Sequence, residues 1–305
     1  MPTSTRLAKR SAILALVLSF LLAGAVTSAP AYGAPAKGKF HVALSRHHRA
    51  LAPKHRSKRH NRVSRNTAQS AAAPLPEGLL FKATHLSDFW LRQAAPGALS
   101  EVPDPAGSGE TVFKLTVGDS DMLNITPNPR AEMLSPSTIK AGDELWWSAK
   151  FFLPADFPAS VPGWLNLLQG PYGSPFAGSP PWHVEVNGDH IQWARNSTYR
   201  WDVPWQMPLV RNSWVSVMVH ERFASDGFVE MWVNGQPITF FGSGTYNPNH
   251  VAPTQHLAMA TMDSSNNGAT NSIYLQSYRK AGMFPSLTVY QGPLAIGTTR
   301  ASVGG

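Results

Sequence analysis

The sequence predicts an all-β fold, a two-sheet antiparallel β-sandwich of the jelly-roll, concanavalin A-like type. From about residue 75 onward, short segments of alternating apolar and polar residues are separated by turns rich in Gly, Pro, Asn, Asp and Ser. No segment has the apolar spacing of a long amphipathic helix. Around a dozen strands without crossover helices favour two packed antiparallel sheets over an α/β fold.

Three segments carry the strand pattern most clearly. In residues 144–153 (ELWWSAKFFL) every second residue from Leu145 to Leu153 is apolar, so these side chains are expected on one face. Residues 214–223 alternate in the same way, with the valines from Val215 to Val219 on the inner face. Residues 228–238 (FVEMWVNGQPI) predict a hairpin that turns at Asn234-Gly235.

The N-terminus predicts export from the cell. Three basic residues precede an apolar run over residues 12–26, and Ala29-Pro30-Ala31 is an A-x-A cleavage site. We therefore interpret residues 1–31 as a secretory signal peptide and expect a secreted protein. No other stretch is long and apolar enough to predict a membrane span.

Residues 32–74 predict a basic, disordered linker. Residues 37–65 contain ten Lys or Arg, five His and no acidic residue. With three more basic residues in the signal peptide, 13 remain in residues 75–305, against 18 acidic residues and thus a net charge of −5. A mildly acidic domain argues against nucleic-acid binding, and the linker is either a solvated spacer or a tether to an anionic cell-wall polymer.

The absence of cysteine excludes disulfide bonds and thiol catalysis. For an exported protein this favours a bacterial origin, with stability supplied by a large hydrophobic core. Residues 75–305 are expected to form one domain, which we expect to be monomeric.

Two segments predict a polar and aromatic outer face suited to sugar rings. In residues 273–284, interpreted as one strand, alternation places Tyr274, Gln276, Tyr278, Lys280 and Phe284 on one side. In residues 182–186, Trp182, Val184 and Val186 are expected in the core, which leaves His183 and Glu185 on the other side.

Five stretches resemble the jelly-roll polysaccharide lyases, namely the heparin lyase I and glucuronan lyase group and, more distantly, the alginate lyases. The similar stretches are NPRAEM (128–133), GDELWWSAKFFLPADFP (142–158), WLNLLQG (164–170), WVSVMVHERFASDGFVEMWVNG (214–235) and YRKAGMF (278–284). Their order along the chain carries the resemblance, which covers residues 79–297.

The resemblance implies β-elimination on an acidic, uronic-acid-containing polysaccharide. Such a reaction needs a group that neutralises the uronate carboxylate, a base for the C5 proton and an acid for the leaving oxygen. The resemblance assigns Arg130, Gln169 and Lys280 to the carboxylate. The alternative interpretations are an ion pair between Arg130 and Glu132, a polar strand end for Gln169 and a solubilising surface lysine for Lys280. Gln169 shares the alternation of Leu165 and Leu167 unless a bulge intervenes.

One residue departs from the family pattern. Phe284 occupies the position at which the resemblance requires the catalytic tyrosine, and phenylalanine cannot transfer a proton. The candidates to replace it are Tyr278 and His183. Substrate-binding roles are expected for Glu132, Glu185, Tyr274, Gln276 and Phe284.

Two further functions stay open. If no group replaces the tyrosine, the protein is a non-catalytic carbohydrate-binding sandwich derived from the lyase fold. A glycoside hydrolase needs two facing carboxylates, which no spacing in the sequence reveals. Residues 118–124 (GDSDMLN) have oxygen ligands at calcium-like spacing, although a polar turn is the simpler interpretation, and some relatives bind Ca²⁺.

Overall fold

The computed structural model describes residues 76–123, 127–171, 179–197, 200–241, 252–262 and 271–305. The predicted signal peptide and basic linker lie outside these residues. No helix among them has the length and apolarity needed to span a bilayer.

The described chain forms β-strands connected by turns, with two single-turn 3-10 helices at Leu86–Asp88 and Ala301–Val303. In chain order the strands are β1 (Leu79–Ala83), β2 (Leu91–Ala94), β3 (Leu99–Pro103), β4 (Thr111–Gly118), β5 (Arg130–Leu134), β6 (Glu144–Leu153), β7 (Val161–Gln169), β8 (Trp182–Gly188), β9 (His190–Ser197), β10 (Arg200–Pro208), β11 (Ser213–Arg222), β12 (Phe228–Val233), β13 (Gln236–Pro237), β14 (Leu257–Ala258), β15 (Tyr274–Arg279), β16 (Ser286–Gln291) and β17 (Leu294–Gly297).

The strands make two antiparallel sheets, which confirms the predicted sandwich. The front sheet has the order β10-β9-β8-β7-β15-β5-β2. The back sheet has the order β13-β12-β11-β6-β16-β4-β3, with β17 also pairing β6, β1 pairing β17 and β14 pairing β12. Each sheet mixes strands from both halves of the chain, so neither sheet is complete until the last strands have paired.

The core lies between the sheets and contains the faces that alternation predicts. The alternating apolar residues of β6 from Leu145 to Leu153 and the valines of β11 are all buried. Asn234 and Gly235 take positive φ angles of 50° and 78°, as the predicted hairpin turn between β12 and β13 requires.

Glu221 is a buried acid that joins the two sheets. It lies on β11 in the back sheet and accepts hydrogen bonds from the indole nitrogens of Trp147 at 3.0 Å and Trp182 at 2.9 Å. Trp147 belongs to the back sheet and Trp182 to the front sheet, and their rings stack with centroids 5.2 Å apart. Burial raises the pKa of Glu221 from 4.5 to about 8, an effect that the two indole donors partly offset.

The predicted strand over residues 273–284 is shorter than expected. β15 ends at Arg279 because this side chain turns into the protein, where it is fully buried. Arg279 forms an ion pair with Asp119 at 3.2 Å and donates a hydrogen bond to the carbonyl of Phe284 at 2.7 Å. These contacts hold the chain in a turn after β15, so the alternation does not continue to Phe284.

Replacing Glu221 by Gln tests the junction between the sheets. The amide keeps the shape but offers one acceptor oxygen for two indole donors, so we expect a loss of about 1–3 kcal/mol in the free energy of unfolding at pH 5. Because the folded pKa of Glu221 is raised, its stabilising contribution is complete below pH 4.5 and is lost as the pH rises to about 8. The wild type should therefore lose more stability than Glu221→Gln between pH 5 and pH 9 in chemical denaturation. An equal loss in both proteins would contradict this account.

Candidate active site

A cleft of about 670 Å³ opens on the outer face of the front sheet. Residues from β5, β7, β8, β10 and β15 line it, so it crosses most of the sheet. It brings together seven residues that the sequence predicted separately, namely Arg130, Glu132, Gln169, His183, Glu185, Tyr274 and Tyr278.

The bulge that Gln169 requires is present in β7. Asn166 pairs with Glu185 and Leu168 with Val184, so Leu167 is one residue too many on β7. Asn166 and Gln169 therefore both line the cleft, although they are three positions apart. Asn166 was not predicted from the sequence, because its role depends on the position of the bulge.

Gln169 is oriented by a second glutamine beneath it. Gln276 on β15 is fully buried and donates from Nε2 to Oε1 of Gln169 at 3.3 Å. With its oxygen engaged, Gln169 has its amide nitrogen available to donate to a ligand. Gln276 was predicted to touch substrate; the structure places it under the cleft, where it positions Gln169.

A side chain of the opposite sheet donates a hydrogen bond to the backbone carbonyl at the bulge. Gln291 on β16 of the back sheet is fully buried, and its Nε2 donates to the carbonyls of Leu167 at 3.0 Å and Gln276 at 3.1 Å. A bulge interrupts the ladder, and a buried carbonyl without a donor would cost free energy. Gln291 therefore stabilises the local geometry that directs Gln169 into the cleft.

Arg130 packs against the tyrosine next to it. Its guanidinium lies 4.1 Å from the centre of the Tyr278 ring. It also forms the expected ion pair with Glu132, at 3.3 Å, and lines the cleft. Burial raises the pKa of Glu132, although the charge of Arg130 partly offsets this effect. The phenol oxygen of Tyr278 accepts a hydrogen bond from Asn128 at 3.4 Å.

His183 lies on β8 beneath an aromatic ring. Trp201 of β10, which is 37% exposed, stacks on its imidazole at 4.4 Å between ring centroids. Burial lowers the pKa of His183 from 6.5 to about 3, so the ring is neutral near pH 7. Its Nε2 atom is buried and has no hydrogen-bond partner among the described residues. Trp201 was not predicted as a site residue.

Glu185 gives the cleft a second buried carboxylate. Gln192 donates to it at 2.6 Å and Asn187 at 3.5 Å, while Nδ1 of His183 lies 3.9 Å away, beyond hydrogen-bond distance. Burial raises its pKa, and the amide donors partly offset the shift. Glu132 and Glu185 are on strands three apart in the sheet, which explains why no sequence spacing revealed the pair.

Two residues predicted on the cleft face lie elsewhere. Lys280 follows the last residue of β15 and is exposed outside the cleft, with its alkyl chain near Gly163 and its backbone nitrogen bonded to Trp164. Phe284 is half-buried and packs against the hydrophobic core. The turn held by Arg279 causes both departures.

The calcium-like segment behaves as a polar turn in its described part. Asp121 accepts the backbone N–H of Gly118, and Asp119 accepts that of Gly282 in addition to its ion pair with Arg279. Asn124 lies outside the described residues. Within the part of the chain that the structure describes, no group of three or more His, Asp or Glu is arranged to hold a metal ion.

The chain belongs to the family described as "Polysaccharide lyase", whose model matches residues 81–301. The match covers nearly the whole sandwich, including every strand that builds the cleft. A search among proteins with curated functions gave no significant match.

Three solved structures illustrate the likeness of the fold. An endo-β-1,4-glucuronan lyase from the fungus Trichoderma reesei is 18% identical, with a TM-score of 0.53, and the match covers 74% of this chain and 98% of that one. A glycoside hydrolase family 131 catalytic domain from Coprinopsis cinerea is 14% identical (TM-score 0.48; coverage 70% and 83%). A PL-14 alginate lyase from Aplysia kurodai is 12% identical (TM-score 0.45; coverage 71% and 95%). The first likeness supports the jelly-roll fold.

Replacing Gln291 by Met tests whether the bulge positions Gln169. The side chain keeps its length but loses both donated hydrogen bonds, so we expect the free energy of unfolding to fall by about 1–3 kcal/mol. Binding of an acidic oligosaccharide should weaken as well, because Gln169 is no longer held in place. Thr288→Val on the same strand removes a hydroxyl that bonds Thr116 in the back sheet and serves as the control. Unchanged binding by Gln291→Met would contradict the positioning role.

Proposed function

We propose that this protein is a secreted polysaccharide lyase that cleaves a uronic-acid-containing polysaccharide by β-elimination. The observation that supports it best is the cleft itself, which places an arginine, a glutamine, a histidine and a tyrosine together on one sheet face. These are the residue types that the reaction needs, and the chain belongs to a lyase family.

The reaction requires no external co-reactant. A base takes the proton from C5 of the uronate, and the electron pair of that C–H bond forms a double bond between C4 and C5. The C4–O4 bond breaks, and the leaving oxygen receives a proton. Because negative charge moves toward the carboxylate as the C5 proton leaves, hydrogen-bond donors aimed at that carboxylate lower the barrier.

In this proposal Arg130 and Gln169 bind the uronate carboxylate. Gln169 has an amide nitrogen free to donate because Gln276 engages its oxygen. Arg130 supplies positive charge from β5, with its guanidinium 4.1 Å from the centre of the Tyr278 ring.

His183 is proposed as the base and Tyr278 as the acid. A neutral imidazole has a lone pair with which to accept the C5 proton, and Nε2 of His183 has no hydrogen-bond partner among the described residues that would engage it. A ring this strongly desolvated is a weak base, so substrate must raise its proton affinity, which the uronate charge favours. Tyr278 has a phenol hydroxyl in the cleft that can protonate the leaving oxygen.

A second candidate is a carbohydrate-binding protein without catalysis. Phe284 supports it, since this residue packs against the core and leaves no proton-transfer group at the position where the family resemblance requires one. In that case the same cleft holds a sugar chain that it does not cut.

Export and attachment belong to the same proposal. The signal peptide predicted at residues 1–31 would direct the chain out of the cell, and the basic segment that follows would hold it near anionic cell-wall polymer.

An ultraviolet assay for unsaturated uronate ends tests the proposal. The chain from residue 32 is mixed with glucuronan, alginate, heparin, hyaluronan or pectate, each with and without calcium. We expect absorbance to rise on at least one substrate. His183→Gln and Tyr278→Phe should each lower kcat by about 10²–10⁴-fold, which is the usual contribution of a general acid or base.

Tyr290→Phe, a matched substitution on the back sheet, is the control and should leave kcat unchanged. A parallel assay for new reducing ends separates the alternatives. Reducing ends without absorbance would indicate hydrolysis and reject the lyase, and binding without either signal would favour the non-catalytic candidate.

A further inference from the structure

The cleft carries little positive charge for a site that binds a polyanion. Among the described residues that line it, Arg130 is the only Lys or Arg, and Glu132 already pairs with it. Glu185 accepts hydrogen bonds from amide partners, and the imidazole of His183, at 3.9 Å, is the only basic group within ion-pair distance of it among the residues that the structure describes. That imidazole is neutral near pH 7.

Two arginines of the front sheet are engaged in ion pairs and do not line the cleft. Arg195 on β9 makes a two-point ion pair with Asp202, at 2.8–3.0 Å, and Arg279 is buried against Asp119. Lys280 is exposed and does not line the cleft, although its backbone nitrogen donates to the carbonyl of Trp164, which does.

The segments of the domain that the structure does not describe contain no lysine or arginine, and Arg200 at the start of β10 is the one lysine or arginine of the domain whose side chain is likewise not described. These segments comprise residues 124–126 (NIT), 172–178 (YGSPFAG), 198–199 (TY), 242–251 (GSGTYNPNHV) and 263–270 (DSSNNGAT). Whatever their positions, these loops cannot supply a row of basic side chains.

Aromatic rings occupy much of the remaining cleft surface. Trp164 and Trp201 line it together with Tyr274. Aromatic faces pack against the C–H groups of uncharged sugar rings and need no counter-charge. Trp90, which is 58% exposed, donates a hydrogen bond to Ser272, two residues before Tyr274, and extends the aromatic surface.

We infer that the cleft takes a polysaccharide in which a single uronate is flanked by uncharged sugars, and that runs of consecutive uronates bind poorly. This inference rests on the proposed function, because it names the substrate class of the same cleft. Arg130 is the one cation that the described lining offers to a carboxylate. A carboxylate on a neighbouring sugar would meet aromatic rings or the buried acid Glu185, and both contacts disfavour a desolvated negative charge.

Polymers that differ in uronate spacing test the inference. Hyaluronan and deacylated gellan separate each glucuronate by neutral sugars, whereas glucuronan and alginate consist of consecutive uronates. We expect kcat/KM per uronate to be at least about ten-fold higher on the spaced polymers. Raising NaCl from 0.05 to 0.5 M should lower kcat/KM on the spaced polymers by less than about three-fold, since few ion pairs form between protein and substrate.

Glu185→Gln provides a charge test within the cleft. Removing this acid should raise the affinity for glucuronan relative to hyaluronan, measured by affinity electrophoresis. Glu110→Gln, which alters an exposed acid paired with Lys150 outside the cleft, should leave the ratio unchanged.

The outcomes separate the inference from the proposed function. Equal or better cleavage of glucuronan or alginate would overturn the inference and leave the lyase intact. If no polymer yields unsaturated ends, the lyase fails, and the binding ratio in affinity electrophoresis still decides the inference. Preferential binding of the spaced polymers supports it, and preferential binding of the homopolymers, or no binding to any polymer, rejects it.

Discussion

The cleft depends on one extra residue in β7 and on the side chain that satisfies it. The bulge at Leu167 changes the alternation of the strand, so that Asn166 and Gln169 share a face. Gln291, in the other sheet, offsets the free-energy cost of the bulge by donating a hydrogen bond to the carbonyl of Leu167. The geometry of the cleft in the front sheet is thus tied to a buried amide in the back sheet, and the two sheets must pack in the correct register before Gln169 is positioned.

A second link between core and cleft runs through Trp182. Its indole is fixed by Glu221 and lies under the backbone of Gly170, where even a β-carbon would approach the ring to 2.6 Å. His183 follows Trp182 and Gln169 precedes Gly170 on the paired strand, so both cleft residues are anchored to the same buried ring. Close packing on one side of the sheet therefore fixes the polar groups on the other.

The alternation of apolar and polar residues correctly predicted which side chains face the core wherever the strands are regular. It placed β6 and β11 inside the sandwich and put His183 and Glu185 opposite Trp182. It could not locate the Leu167 bulge, because the bulge is stabilised by Gln291, more than a hundred residues away in sequence. It extended β15 to Phe284 for a similar reason: the chain turns where Arg279 meets Asp119, and that partner comes from a distant loop. Glu132 and Glu185 were named separately, but alternation could not bring them to one cleft, because only the order of strands in the sheet does so.

The proposed reaction is elimination rather than hydrolysis. The most direct measurement is the proton NMR spectrum of the products after exhaustive digestion of hyaluronan, or of whichever uronate polymer is cleaved fastest. The account predicts an olefinic H4 signal from an unsaturated sugar at each new non-reducing end, equal in amount to the new reducing ends. New reducing ends accompanied only by saturated non-reducing ends would contradict elimination. They would indicate hydrolysis, with Glu132 and Glu185 as the candidate carboxylates.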